Sequence, residues 1–161
     1  MELKCRLSKS LVTFKSLHFP YKREKQSSHR YRVSVGIGGN VGDVKRRFNH
    51  LFVMLKKDNR VEVLQTALIL KNPPFGFKDQ DDFFNSIIIM QISMQPFTFL
   101  KYLLRIEKKF ARKRSFANAP RTLDLDIIFF DNRVVKTKNL TIPHIDWSSR
   151  NSVVIPLEGL R

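Results

Sequence analysis

The chain has 161 residues, 42% of them apolar and 14 of them Phe, with 30 Lys and Arg against 14 Asp and Glu, for a net charge of +16. That is enough apolar side chain for one domain with its own core. The single cysteine, Cys5, excludes an intrachain disulfide and points to a reducing cytoplasm, and the longest apolar run, Phe83 to Met90, is strand-sized and interrupted by Asn85 and Ser86, which excludes a membrane-spanning helix there. The charge requires an anionic partner (nucleotide, nucleic acid or membrane surface) without choosing among them.

Residues 1–30 stand apart, because Lys4, Arg6, Lys9, Lys15, Lys22, Arg23, Lys25 and Arg30 face only Glu2 and Glu24. Two readings are open: an acid-poor leader peptide, or a basic extension packed on a domain formed by residues 31–161. Leu7, Leu11, Val12, Phe14, Leu17 and Phe19, interleaved among the charges, favour the extension. Tyr31, Val33, Val35 and Ile37 alternate with Arg32, Ser34 and Gly36, which predicts a strand. Gly38 to Asp43 reads as a turn, with Gly36, Gly38 and Gly42 as turn-makers and Asp43 as a helix cap. Val44, Phe48, Leu51, Phe52 and Leu55 recur at helical spacing. A second strand is expected over about Val61 to Leu70, then an irregular Asn72-Pro73-Pro74-Phe75-Gly76 loop, then a third strand over about Phe84 to Ile92. Pro96 suits the start of a helix whose stripe is Phe99, Leu103, Ile106 and Phe110. A basic loop, Arg112 to Asn118, precedes a fourth strand, Leu123 to Ile127, and Val153-Val154-Ile155 is a last apolar stretch. The order β-α-β-β-α-β predicts an α+β, ferredoxin-like core: a mostly antiparallel sheet with helices on one face and extra C-terminal strands. That fold decides no function by itself.

The sharpest chemical feature is Asp124 and Asp126. At i and i+2 on a strand they share a face, while Leu123, Leu125 and Ile127 take the other. Two adjacent carboxylates repel unless a cation lies between them, and hard oxygen donors suit Mg²⁺. Taken alone, the pair is equally well read as two solvated aspartates on an exposed sheet face. Arg112, Lys113, Arg114 and Arg121 bracket the same strand, and guanidinium forks match phosphate oxygens two at a time. Mixed carboxylates and arginines suit a metal-bound triphosphate. Glu107 beside an apolar stripe, His144 after Pro143 and Arg150 are candidate polar contacts, each also read as an ordinary structural or surface residue. Phe83 offers a face for a flat heterocycle, and Asn85 a donor and acceptor for an amide-like edge. Gly36, Gly38 and Gly42 do not have the dinucleotide spacing, and no P-loop, Ser-His-Asp set or zinc spacing occurs.

These segments together resemble the 6-hydroxymethyl-7,8-dihydropterin pyrophosphokinase family. The pieces carrying the resemblance are Gly38-Gly39-Asn40-Val41-Gly42-Asp43, Asn72-Pro73-Pro74-Phe75-Gly76, Asp79-Gln80, Phe83-Phe84-Asn85, Arg105-Ile106-Glu107, Arg112-Lys113-Arg114, Ala119 to Ile127, Leu140 to His144, and Arg150. They occur in the family's order over residues 31 to about 158, and Pro120-Arg121-Thr122-Leu123-Asp124-Leu125-Asp126 is the most specific. The resemblance implies a diphosphotransferase of folate biosynthesis that moves diphosphate from MgATP to the pterin's hydroxymethyl group and releases AMP. It implies that Asp124 and Asp126 hold two Mg²⁺ ions, and that Arg112 and Arg121 bind phosphates and stabilise moving charge. Glu107, Arg114, Ile127, Thr141, His144 and Arg150 would line the nucleotide; Asn72, Pro73, Pro74, Phe75, Gly76, Phe83 and Asn85 would hold the pterin. The expected partners are these two substrates alone, with a monomeric protein and neither nucleic acid nor membrane. The rival readings are a basic RNA-binding module and a catalytically weakened family member. Against the module, Asp124 and Asp126 would repel phosphates in the absence of metal. The weakened member is suggested by Ser152, which stands where the family has an aromatic residue that stacks on the pterin. Further departures are a basic loop about one residue short, Asn118 and Asn139 at positions usually filled by a bulky residue and an arginine, and an end at Arg161 before the family's usual C-terminal segment. The basic extension is expected to cover surface left bare there.

Overall fold

The structure, a computed structural model, describes residues 4–24, 26–111 and 120–160. Three short strands come from the basic segment: β1 (Lys4–Arg6), β2 (Val12–Phe14) and β3 (Tyr21–Lys22). The rest runs β4 (Tyr31–Gly39), α1 (Val44–Lys56), β5 (Val61–Thr66), β6 (Ile69–Asn72), β7 (Phe83–Ile92), α2 (Pro96–Lys109), β8 (Asp124–Phe130), β9 (Val135–Lys136), β10 (Thr141–Ile142), a 3₁₀ turn (Trp147–Ser149) and α3 (Asn151–Glu158). The eight-stranded sheet is ordered β1-β2-β6-β7-β4-β8, with β5 beside β6 on the same side of β7 and β3 beyond β5; β9 and β10 form a separate hairpin. Every pairing is antiparallel. This is the expected α+β, ferredoxin-like core with added strands.

Two helices form where the apolar stripes predict them. Asp43 caps α1 by accepting the Arg46 N–H at 3.1 Å, and Phe48, Leu51, Phe52 and Leu55 are buried. Pro96 opens α2, where it sacrifices no helical hydrogen bond, and Phe99, Leu103 and Ile106 are buried. Both helices cover one sheet face, packing on Val33, Val35, Ile37, Leu125 and Ile127. The last apolar stretch forms α3, and α3 lies on the other face: Val153 packs on Ile87, Ile89 and Ile128. The two helices of the β-α-β-β-α-β core thus share one face as expected, and α3 is an added helix on the other.

Two further differences have local causes. The expected second strand is two, broken at Ala67-Leu68. There the Ala67 N–H turns to the Ile87 carbonyl, and the Ser86 hydroxyl lies within 3.2 and 3.0 Å of the carbonyls of residues 67 and 68. The fourth strand runs on to Phe130 through a bulge at Ile128, where the register against β4 skips a residue. Before the bulge Leu125 and Ile127 face the helices; after it Phe130 does, while Ile128 and Phe129 face α3. The basic segment is woven into this core: β2 adds to β6, β3 to β5, and Phe19 is fully buried against Phe48 and Phe52.

Candidate active site

The candidate cleft opens on the α3 side of the sheet, where β4, β7 and β8 end near the Asn72–Gly76 loop. Its floor is cleared by Gly38. A Cβ there would lie 2.5 Å from Asn85 Oδ1, so only glycine lets the Asn85 amide lie across β4. Gly36 and Gly38 are thus strand residues that make room; of the glycines read as turn-makers, Gly42 makes the turn, at φ +70°.

Strand alternation places Asp124 and Asp126 together on the cleft wall, with Leu125 and Ile127 in the helix-side core. Arg121 Nη1 donates to Asp124 Oδ2 at 2.7 Å. No hydrogen bond from a described residue reaches the Asp126 carboxylate. Burial, then the charges of Asp124 and Glu107, hold its pKa well above the carboxylate range, against the pull of Arg121 and Arg150. The wall is short of positive charge at Asp126. Among the described residues no third His, Cys, Asp or Glu joins the pair as a metal cluster. Two hard oxygen donors on a rigid strand fit Mg²⁺, an ion that would be held there together with phosphate oxygens.

The opposite wall is aromatic and amide-bearing. Phe83, Asn85, Asn72 and Phe75 line it. Asn85 Nδ2 donates to the buried Asn72 Oδ1 at 2.6 Å, which fixes the amide's orientation and keeps Asn85 Oδ1 as an acceptor. Each ring carries a guanidinium: Arg121 at 5.9 Å from the Phe83 centroid and Arg150 at 5.6 Å from that of Phe75. His144 completes the rim. Its pKa is lowered by burial and then by Arg150, so the ring is neutral at neutral pH. The Asp146 N–H points to Nδ1 at 3.3 Å, which leaves the imidazole proton on Nε2.

Other expected site residues lie elsewhere. Glu107 is 2% exposed, and its Oε2 accepts the Leu125 N–H at 2.8 Å from the helix side of β8. It does not line the cleft, although its charge acts on Asp126 through the strand. Ile127 points into the core, and Thr141 is half-buried on the β10 hairpin. Pro73, Pro74 and Gly76 (φ +67°) shape the loop that presents Phe75. Arg112 and Arg114 lie outside the described residues.

The structure adds roles beyond those the motifs assign. Asn40, 5% exposed, donates from Nδ2 to Gln80 Oε1 (2.8 Å) and the Asp81 carbonyl (2.9 Å), and its Oδ1 accepts the Arg121 N–H (2.8 Å). One side chain thereby ties the loop before Phe83 to Arg121. Its one sequence signal is a polar residue directly after a glycine-ended strand. Ile128, Ser152 and Val153 floor the cleft, and Ser152 leaves open space beside Phe75 and Arg150.

Residues 34–161 match the family model described as 7,8-dihydro-6-hydroxymethylpterin-pyrophosphokinase. The chain is 41% identical to a Campylobacter jejuni protein named 2-amino-4-hydroxy-6-hydroxymethyldihydropteridine pyrophosphokinase, over 89% of this chain and 91% of that one. That alignment is longer than residues 31–161, so it reaches into the basic segment. Proteins of the same name from Helicobacter pylori and Bacillus subtilis are 35% and 31% identical, over 88% and 76% of this chain and 88% and 74% of theirs. Fold, cleft and similarity agree that the chain belongs to the 7,8-dihydro-6-hydroxymethylpterin-pyrophosphokinase family.

Proposed function

We propose that the chain transfers diphosphate from MgATP to the hydroxymethyl group of 6-hydroxymethyl-7,8-dihydropterin, releasing AMP, as a cytoplasmic step of folate biosynthesis. The observation that carries this reading is one cleft lined by a carboxylate pair, two arginines, two phenylalanines and an oriented asparagine. Asp124 and Asp126 hold two Mg²⁺ ions, which when bound neutralise phosphate charge. Arg121 and Arg150 take phosphate oxygens, and the family resemblance gives Arg112 and Arg114 the same task. His144 Nε2–H donates to the ribose or a phosphate. The pterin lies against Phe83 with its amide-like edge on Asn85, under the loop of Asn72, Pro73, Pro74, Phe75 and Gly76.

The substrate hydroxyl oxygen then attacks the β-phosphorus in line. The bond from that phosphorus to the oxygen bridging it to the α-phosphorus breaks, AMP carries that oxygen away, and the hydroxyl proton passes to the carboxylate pair. Such chemistry depends on positioning and charge neutralisation, and the cleft supplies both. The test is to incubate the protein with MgATP and the pterin and follow AMP. Release that needs pterin and Mg²⁺ together supports the reading; no AMP, or AMP without pterin, rejects it.

A further inference from the structure

Part of the charge that the cleft leaves unexplained lies on the opposite side of the molecule. Across α1 and α2 the one carboxylate is Glu107, which is buried, whereas Arg46, Lys101, Arg105, Lys108 and Lys109, with Lys57 at the end of α1, are exposed. No ion pair or side-chain hydrogen bond engages any of these six among the described residues. The nearby acids are already committed: Asp43 caps α1, and Asp58 pairs with Arg60 at 2.8 Å. The layer's other cations have partners: Lys45 lies 4.3 Å over the Phe14 ring, Arg47 donates to the carbonyls of Val41 and Thr122, and the exposed Lys56 meets the Tyr21 hydroxyl. The two helices lie side by side and antiparallel, joined at one end by His50 against Phe110 (5.4 Å) and at the other by Tyr102 donating to Asp58 (2.9 Å). By contrast α3, on the cleft side, carries no cation and has Glu158.

We propose that this helical layer is a second binding surface, which takes the phosphate backbone of a nucleic-acid duplex without reading its sequence. Lys101, Arg105 and Lys108 follow one another at i, i+4 and i+7, about 6 Å and then 4.5 Å apart along the axis. That row tracks a charged strand, and like charges held this densely on an acid-free face lose their mutual repulsion when phosphates neutralise them. A membrane fits less well: the apolar stripes of both helices are used in the core, leaving only Phe97 and Val53 as large exposed apolar residues on them, at 47% and 37%. An acidic protein partner would find almost no apolar centre to bury. The objection to nucleic acid drawn from Asp124 and Asp126 does not apply here, because those carboxylates face the other way.

The test is binding of a mixed-sequence 20-base-pair DNA duplex across a salt series, for the wild-type chain and a Lys101→Gln/Arg105→Gln/Lys108→Gln/Lys109→Gln variant whose melting temperature is checked. The wild type should bind with saturating MgATP present, and the variant should lose at least tenfold in affinity, with a salt slope shallower by about 3 to 4. Displacement of the duplex by MgATP would place the phosphates in the cleft and overturn the proposal. So would an unchanged slope in a folded variant, absence of duplex binding by the wild type, or binding of phosphatidylserine vesicles with none of the duplex.

Discussion

The guanidinium of Arg121 sits 2.7 Å from the carboxylate of Asp124, and no comparable partner among the described residues reaches Asp126 one turn of the pleat away. One aspartate is compensated by protein and the other waits for charge from outside. That asymmetry predicts a trade of stability against activity. Asp126→Asn should lower turnover about a thousandfold while raising the melting temperature of the ligand-free protein, because a charge both buried and repelled is removed. Turnover and melting are measured on the same preparation; retained turnover rejects the metal assignment.

Phe75 is the second aromatic ring of the cleft, and Ser152 beside it offers no ring. Phe75→Ala should raise KM for the pterin about tenfold with KM for ATP unchanged, the scale of one lost stacking face. Adding Ser152→Phe to that variant should recover most of the loss. Pterin fluorescence titration checks binding independently of turnover, and an unaffected Phe75→Ala titration rules out the stacking role.

Asn40 joins the loop before Phe83 to the backbone of Arg121 through one side chain. Asn40→Ala removes a 5%-exposed side chain and with it one hydrogen bond each to Gln80 Oε1, the Asp81 carbonyl and the Arg121 N–H. The expected cost is about 1–3 kcal/mol of stability, with kcat/KM at least tenfold lower because Arg121 and the loop lose their common anchor. Chemical denaturation and steady-state kinetics read the two effects separately.

The basic segment contributes to the core through Val12, Phe14 and Phe19. Phe19→Ala should destabilise by about 3–5 kcal/mol, lowering the melting temperature by roughly 6–20 °C. Removing residues 1–30 should be worse, since it also uncovers the outer edges of β5 and β6. Unchanged melting and solubility after the deletion would contradict this.

Asp58 gives a pH-dependent signature away from the cleft. Its pKa is depressed to about 2, first by the side-chain hydrogen bond from Arg60 and with help from Tyr102, against the opposing effect of burial. A depressed carboxylate stabilises the fold above its unfolded pKa of about 3.9 and loses that contribution as pH falls towards its folded value. The melting advantage of wild type over Asp58→Asn should therefore be constant from pH 7 to about 5 and shrink between about pH 4 and 2.

Much of this architecture is legible in the chain. Period-two alternation puts Asp124 and Asp126 on one side, and the apolar stripes locate α1 and α2, because each signal is local. What escapes is decided at a distance. The break between β5 and β6 has no glycine or proline to announce it; it depends on Ser86, on another strand. Val153-Val154-Ile155-Pro156 carries β-branched residues and a helix breaker, yet it is helical, because burial of Val153 against Ile87, Ile89 and Ile128 outweighs local preference. Asn40 looks like any turn residue until residues 80, 81 and 121 are brought to it.

The pairing of β2 with β6 also constrains the order of assembly. Phe14 meets Ile69, a residue made 55 positions later. At ribosomal speeds of about 5–20 residues per second, the early segment spends roughly 3–11 s without its neighbour. Throughout that interval Val12, Phe14 and Phe19 are greasy side chains on a nascent, strongly cationic tether, and the sheet can be sealed at this edge only after its middle has been synthesised.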